Sequence, residues 1–473
     1  MSRLLAYLLL GLILFVGYQW WSKQQAARLA APPPQAALAP SANIQLSANL
    51  PDPSAQPIVR QGGGSHLMMP VKLAGAYAAA LNEIQELIQQ GKDRDAEAKL
   101  QTLPADALND PAVRTATATL WNNLGVMRVK GSSAASGVSA YKTAVSINPY
   151  DRVAHHNLVH AYWELHDPAL TRELLEESIK LAPENPLPHL ALAELLINKD
   201  DLAGAAPHLQ ETKDRVAEFP NLQSYLAQLL ARVEKTQQAE QKFVARESSH
   251  FTVKFDGGDD HTVWSRVSEI LEDAYREIGQ QLDAYPSKPI LVVLHTQETF
   301  HDATGGPAWS DGLYDPLLGR IKVPTKGALT DQAWLTRVLR HEFVHALLHD
   351  RMKGRPIPQW LNEGLAMQLA GDPPPDIPEL VRGQVTLVNL AQLEGNWSGL
   401  NPRQANVAYL EGNSATKYFI DRFGMQKVRE VLDVLATGQP IAAAIQDRLF
   451  ITYDDFQRRW SDDLNEKLKA GKS

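Results

Sequence analysis

The chain has 473 residues, a formal net charge of -8 and no cysteine. That length accommodates two or three domains with ample core. The mild acidic balance supplies no general basic field, so nucleic acid is not an expected partner. The missing cysteines exclude disulfides, a lipoprotein anchor and any thiolate metal site.

Residues 1–22 hold an almost wholly apolar run, Leu4 to Trp21, about 27 Å long as a helix and so just able to span hydrocarbon. Tyr18, Trp20 and Trp21 suit the membrane interface. An uncleaved anchor is the expectation, with a cleaved signal peptide as the alternative, because Ala37-Leu38-Ala39 is a distant cleavage site and precedes Pro40. An N-in arrangement at a bacterial inner membrane would put the remaining chain in the periplasm or beyond. Residues 23–70 are rich in proline, alanine and glycine (Pro32-Pro33-Pro34, Gly62-Gly63-Gly64) and read as a disordered linker.

Residues 71–245 read as a helical solenoid with a period of 34. Trp121, Leu124, Gly125, Tyr141, Ala144 and Pro149 are followed 34 residues on by His155, Leu158, Val159, Leu175, Ser178 and Pro183. This fits the tetratricopeptide pattern of paired helices with small residues at the crossing and proline closing each repeat. A looser unit carries Leu192, Ala193, Ala205 and Leu209, and a weaker one runs from Tyr77 to Leu103. The concave face of such a solenoid commonly binds a peptide or a protein partner; a rigid spacer is the plain alternative. His155, His156, Asn157 and His160 read as repeat-helix surface rather than as a metal site.

Residues 246–473 change pattern, and an α+β domain with a small mixed sheet and a helical C-terminal part is expected. His250 to Phe255 alternates like a strand, His261 to Leu282 is helical, and Pro289 to Leu294 is a buried-type strand. Gly319 to Pro324 is a short strand ending in proline, suited to a sheet edge. Gly305-Gly306-Pro307 and the loop to Tyr314 read as a connection or a rim over a cleft. Ser414 to Phe423, Gln426 to Ala436 and Tyr453 to Leu468 read as helices.

The chemistry concentrates at His341-Glu-Phe-Val-His345, followed by Trp360-Leu-Asn-Glu363-Gly364. Apolar residues at helical spacing from Asp331 to His349 place the first motif on a helix, with Thr330 or Asp331 as its cap. His341 and His345 then project from one face and can share a zinc ion, with Glu342 beside them to take a proton from water. Glu363 lies in an otherwise apolar helical run, where a carboxylate is costly without a positive partner. It is the best-placed third ligand, since His349 points about 80° away round the helix.

These residues, with Trp360-Leu361-Asn362-Glu363-Gly364-Leu365-Ala366, resemble the gluzincin metallopeptidases of the thermolysin-like clan. More narrowly, the last 220 or so residues resemble bacterial peptidase MA-like domains fused to tetratricopeptide repeats. The resemblance implies a zinc metallopeptidase with one Zn2+ per chain, ligands His341, His345 and Glu363, and Glu342 as general base. It further implies Tyr409 as a hydrogen-bond donor to the developing oxyanion, where a tyrosine packed at a helix start is the other reading. In such enzymes an edge strand pairs with the substrate backbone, and Arg320, Ile321, Lys322 and Val323 are the matching segment.

Two departures stand out. Met367 occupies the position where thermolysin-like enzymes carry an aspartate that orients a zinc histidine, and the Gly-x-Met-Glu-Asn signature of related aminopeptidases is absent. The first predicts another partner for the histidines; the second predicts endopeptidase action. The resulting expectation is a membrane-tethered peptidase acting on protein or peptide substrates. A tetratricopeptide adaptor carrying a latent or inactive peptidase-like domain is the alternative.

Overall fold

A computed structural model describes residues 66–68, 75, 77–130, 134–215, 220–256, 261–286, 288–296, 300, 312–324, 331–372, 387–397 and 399–470. The apolar run 4–21, most of the linker and the 305–311 stretch lie outside these residues. Among the described residues, no helix is long and apolar enough to cross a membrane.

The described residues are mostly helical, with one small mixed sheet. From residue 78 the described residues form a succession of helices: α1 (Ala78–Gln89), α2 (Asp93–Gln101), α3 (Pro111–Lys130), α4 (Ala134–Ile147), α5 (Arg152–Leu165), α6 (Arg172–Leu181), α7 (Pro186–Ile197), α8 (Leu202–Lys213) and α9 (Pro220–Glu240). The sequence sets their starts. Asp151, Thr171, Asn185 and Asp201 each accept a hydrogen bond from the first turn of the helix that follows, satisfying N–H groups that would otherwise be orphaned. The period-34 residues lie inside: Leu124, Tyr141, Ala144, Leu158, Val159, Leu175 and Ser178 are all buried.

Most of the α5 residues expected at the repeat-helix surface do not lie there. His155, Asn157 and His160 are buried rather than on the surface. The His155 ring bridges the Pro149 carbonyl and the Ser178 hydroxyl, at 2.8 and 3.2 Å. A buried polar group persists when its hydrogen bonds are met, as those of His155 are.

The sheet comprises β1 (Phe243–Glu247), β2 (Phe251–Asp256), β3 (Ile290–His295), β4 (Leu313–Asp315) and β5 (Arg320–Pro324), in the order β1-β2-β3-β5-β4. The central pairings β2–β3 and β3–β5 are parallel, and the outer ones are antiparallel. The expected strands and the helix α10 (His261–Leu282) are present, while β1 and β4 are additional. β1 begins at Phe243 and so straddles the boundary expected between residues 245 and 246.

β5 is not an edge strand, which overturns the placement of Arg320 to Val323 against substrate. Its two sides are taken by β3 and, from Arg320 to Lys322, by β4. Its side chains are engaged as well: Ile321 and Val323 enter the domain core. Arg320 and Lys322 are fully buried against α9 and β4, where Arg320 Nη1 lies 3.3 Å from Glu240 Oε2 and Lys322 Nζ lies 3.4 Å from Asp315 Oδ2. The edge on this side is β4.

The α-helices described after the sheet are α11 (Gln332–Arg351), α12 (Gln359–Ala370), α13 (Pro402–Ala436), α14 (Ile441–Leu449) and α15 (Tyr453–Ala470). Asn401 and Gln404 form a capping box at the start of α13. Gly424, with φ of 83°, breaks that helix between the two segments expected from the sequence. A single core runs from the sheet through α10, α11 and α12 to α15.

Candidate metal centre

α11 is built by its apolar residues. Leu335, Val338, Leu339, Phe343, Val344, Leu347 and Leu348 are buried, and the Asp331 carboxylate caps the first turn by accepting from the Trp334 N–H at 2.9 Å. That orientation leaves His341 and His345, one turn apart, facing α12, with ring centroids 4.8 Å apart. α12 is anchored by Trp360, whose buried indole N–H donates to the Tyr453 hydroxyl at 2.9 Å.

Anchoring α12 in this way brings Glu363 to the histidines. Its Oε2 lies 3.4 Å from His341 Nε2 and 3.5 Å from His345 Nε2. The three side chains form a cluster whose ligand atoms all lie within 4.8 Å of one another. Residues 279–465 match the Peptidase MA superfamily. That match supports a zincin-like peptidase, and it spans all three of these residues. Among curated proteins, nothing matches the chain.

Within the matched region the residues fit a metal ion. Gln359 Nε2 donates to Glu363 Oε1 at 2.8 Å, which leaves Oε2 buried without a hydrogen-bond partner and directed at two imidazole nitrogens. Tetrahedral zinc with bonds of ~2.0–2.1 Å separates neighbouring ligand atoms by roughly 3.3–3.4 Å, close to the distances of Glu363 Oε2 from the two histidine nitrogens. A buried orphaned carboxylate oxygen is otherwise costly. Burial opposes charge on all three groups. Even so, the two imidazoles hold Glu363 well below the usual carboxylate range, while Asp372 and Glu363 raise His341 to about 10.

Both histidines are held from behind. His345 Nδ1 is 3.1 Å from Asn362 Oδ1, and His341 Nδ1 is 3.5 Å from Asp372 Oδ2. Hydrogen-bonding of the distal ring nitrogen fixes the tautomer and raises ligand basicity. Asn362 and Asp372 thus answer the absence of an aspartate at Met367. Sequence reasoning missed them, because Asp372 follows the helix-ending Gly371 and reads as a stop signal.

Glu342 is buried beside the cluster, and burial raises its pKa above the ordinary carboxylate value. Its Oε2 accepts from the backbone N–H of Tyr314 on β4 at 2.7 Å. A Cβ on Gly312 would stand 3.0 Å from both Cγ and Oε1 of Glu342, so the strand approaches the carboxylate as closely as glycine permits. Tyr409 on α13 packs edge-on against Trp397. Burial, then the charges of Glu363 and Glu342, push its phenol pKa upward, so it lies within electrostatic reach of both. His349 is outside the cluster; its Nδ1 lies 3.0 Å from the Tyr314 hydroxyl.

Proposed function

We propose that the chain is a membrane-tethered, zinc-dependent peptidase of the gluzincin type, acting as an endopeptidase on protein or peptide substrates. Its N-terminal helix pairs act as tetratricopeptide repeats that recruit substrate or partner. The observation that carries the peptidase reading is the convergence of Glu363 Oε2 with His341 Nε2 and His345 Nε2. The apolar run 4–21 supports tethering at an inner membrane with the soluble part outside the cytoplasm, and the period of 34 supports the repeats.

One zinc ion held by His341, His345 and Glu363 would supply the Lewis acidity that polarises water and the scissile carbonyl, lowering the water's pKa towards ~7. Glu342 takes the proton from the attacking water and passes it to the leaving amine. The Tyr314 N–H holds the Glu342 carboxylate in place for both transfers. Tyr409 donates to the carbonyl oxygen as charge develops on it. Asn362 and Asp372 keep the imidazoles in the tautomer that presents Nε2.

The test is metal content and casein hydrolysis on the purified full-length protein, with and without a chelator, beside Glu342→Gln and His345→Ala. About one zinc per chain, lost in His345→Ala, with chelator-sensitive cleavage abolished by Glu342→Gln, is the expected result. Zinc without cleavage would favour the scaffold reading, a repeat adaptor with a metal-stabilised, inactive domain. Stoichiometric zinc in His345→Ala would overturn the ligand set.

A further inference from the structure

Asn123 on α3 and Asn157 on α5 are 34 residues apart, equivalent positions of successive repeats, and both are buried. Their side-chain amides grip the main chain of a single extended segment, residues 66–68. The His66 N–H donates to Asn157 Oδ1 at 2.8 Å, and Asn157 Nδ2 donates back to the His66 carbonyl at 2.8 Å. The Met68 N–H donates to Asn123 Oδ1 at 2.8 Å, and Asn123 Nδ2 donates back to the Met68 carbonyl at 2.9 Å.

Asn122 completes the set. Its Nδ2 donates to the His66 carbonyl at 3.1 Å, and its Oδ1 accepts from Asn157 Nδ2 at 2.7 Å. Each clamp is therefore a two-way amide pair, of the kind that joins neighbouring strands in a sheet, made here by side chains.

The alternation explains why residues 66 and 68 are held and not 67. In an extended strand, successive peptide groups face opposite sides, so one row of amides meets every second residue. Leu67 is left 58% exposed, a large apolar side chain with nothing to bury it. The His66 ring adds only a tilted contact with His156, with centroids 4.6 Å apart. At His66 and Leu67, both exposed, recognition thus falls on the backbone rather than on the side chains. When the segment leaves, the three amides exchange these bonds for water, or for the backbone of another extended polypeptide.

We propose that Asn122, Asn123 and Asn157 form a backbone-reading clamp for one extended polypeptide strand, and that residues 66–68 are its intramolecular occupant, which a strand in trans must displace. This deepens the recruitment role given to the repeats above and rests on that reading. The ligand class is an unfolded or extended polypeptide of broad sequence, with one restriction. Proline is excluded at the two positions whose N–H groups are read, since it has none to donate. Because the occupant is tethered close by, it competes at an effective concentration that can reach the millimolar range, which holds the groove shut against weak ligands.

The test uses full-length protein and a fluorescent peptide with the sequence of residues 63–70, read by anisotropy in the presence of a chelator. The double variant His66→Pro/Met68→Pro, which removes both N–H donors ahead of the helical core, should bind the peptide at least about 10-fold more tightly than the parent chain. Adding Asn123→Ala and Asn157→Ala to that variant should abolish binding. Because these asparagines are buried, a peptide N-methylated at the two nitrogens equivalent to His66 and Met68 makes the same test without altering the protein; it should not bind. A peptide with serine in place of the leucine should bind like the original.

Equal affinity for parent and proline variant would overturn the intramolecular occupant. Undiminished binding of the N-methylated peptide, or no binding to the proline variant, would overturn the clamp. Hydrolysis plays no part in the readout, so the clamp can fail in an active peptidase and stand in an inactive one.

Discussion

The Asp372 carboxylate lies 3.5 Å from Nδ1 of His341, the ring nitrogen opposite the one that faces Glu363. It comes from the second residue past the end of α12, not from the turn after Glu363, where Met367 stands. Asp372→Ala should therefore weaken zinc binding about 10- to 100-fold while leaving one site per chain. A competition titration with a chromogenic chelator measures this, and unchanged affinity would remove Asp372 from the site.

Tyr409 tests the chemistry separately from the metal. Tyr409→Phe keeps the packing against Trp397 and removes only the hydroxyl. Loss of a donor to the developing oxyanion should lower kcat about 10²- to 10³-fold with little change in KM or zinc content. A fall in KM affinity alone would instead make it a ground-state contact.

Gly364 sets the distance between α12 and α13. A Cβ there would stand 2.1 Å from Thr416 Oγ1 and 2.6 Å from the Gly412 carbonyl oxygen, so the helices cross at backbone contact. Gly364→Ala must force them apart, at a cost of about 1–3 kcal/mol. Thermal unfolding with and without zinc should show a lower Tm in both and a smaller zinc-induced rise, because Glu363 moves with the helix.

The helical half and the sheet are joined by buried charges. Arg320, fully buried on β5, reaches Asp200 at 3.0 Å and Glu240 at 3.3 Å, and Lys254 on β2 reaches the same two carboxylates at 2.9 Å each. Glu240→Ala leaves Arg320 buried with half its partners, and should destabilise the chain by about 3 kcal/mol. Denaturant unfolding followed by both near-UV and far-UV signals should then lose coincidence, as the two halves unfold apart. A single unshifted transition would show that the network contributes nothing.

Glu411 on α13 supplies the pH dependence. Burial lifts its carboxyl to about 8, against two contacts from the Val388 N–H at 3.0 and 3.2 Å. Below the ordinary carboxylate range, both folded and unfolded chains carry this proton; between that range and pH 8 only the folded chain does. Stability should therefore fall as pH rises through that window and level off above it. Glu411→Gln, which keeps an acceptor for Val388, should flatten the slope and raise Tm at pH 8.

What could be read from the sequence was whatever depends on near neighbours along the chain. His341 and His345 share a helix, so spacing alone put them on one face with Glu342 beside them, and the cost of a carboxylate among Trp360, Leu361 and Leu365 singled out Glu363. The helix start at Thr330 or Asp331 and the break between Phe423 and Gln426 were legible for the same reason: caps and glycines act within a turn, whereas the start of α13 at Asn401, ahead of the expected Ser414, was not.

Tertiary structure decided what depends on pairing between distant segments. Whether β5 lies at the edge turns on β4, a strand of three residues too short to carry a pattern of its own. Asp372 reaches His341 only because α12 folds back on α11, and Asn157 holds residue 66 from 91 positions away. Local spacing constrains which atoms share a helix face; it says nothing about which strand, loop or tail that face will meet, because those contacts are selected by packing of the whole chain.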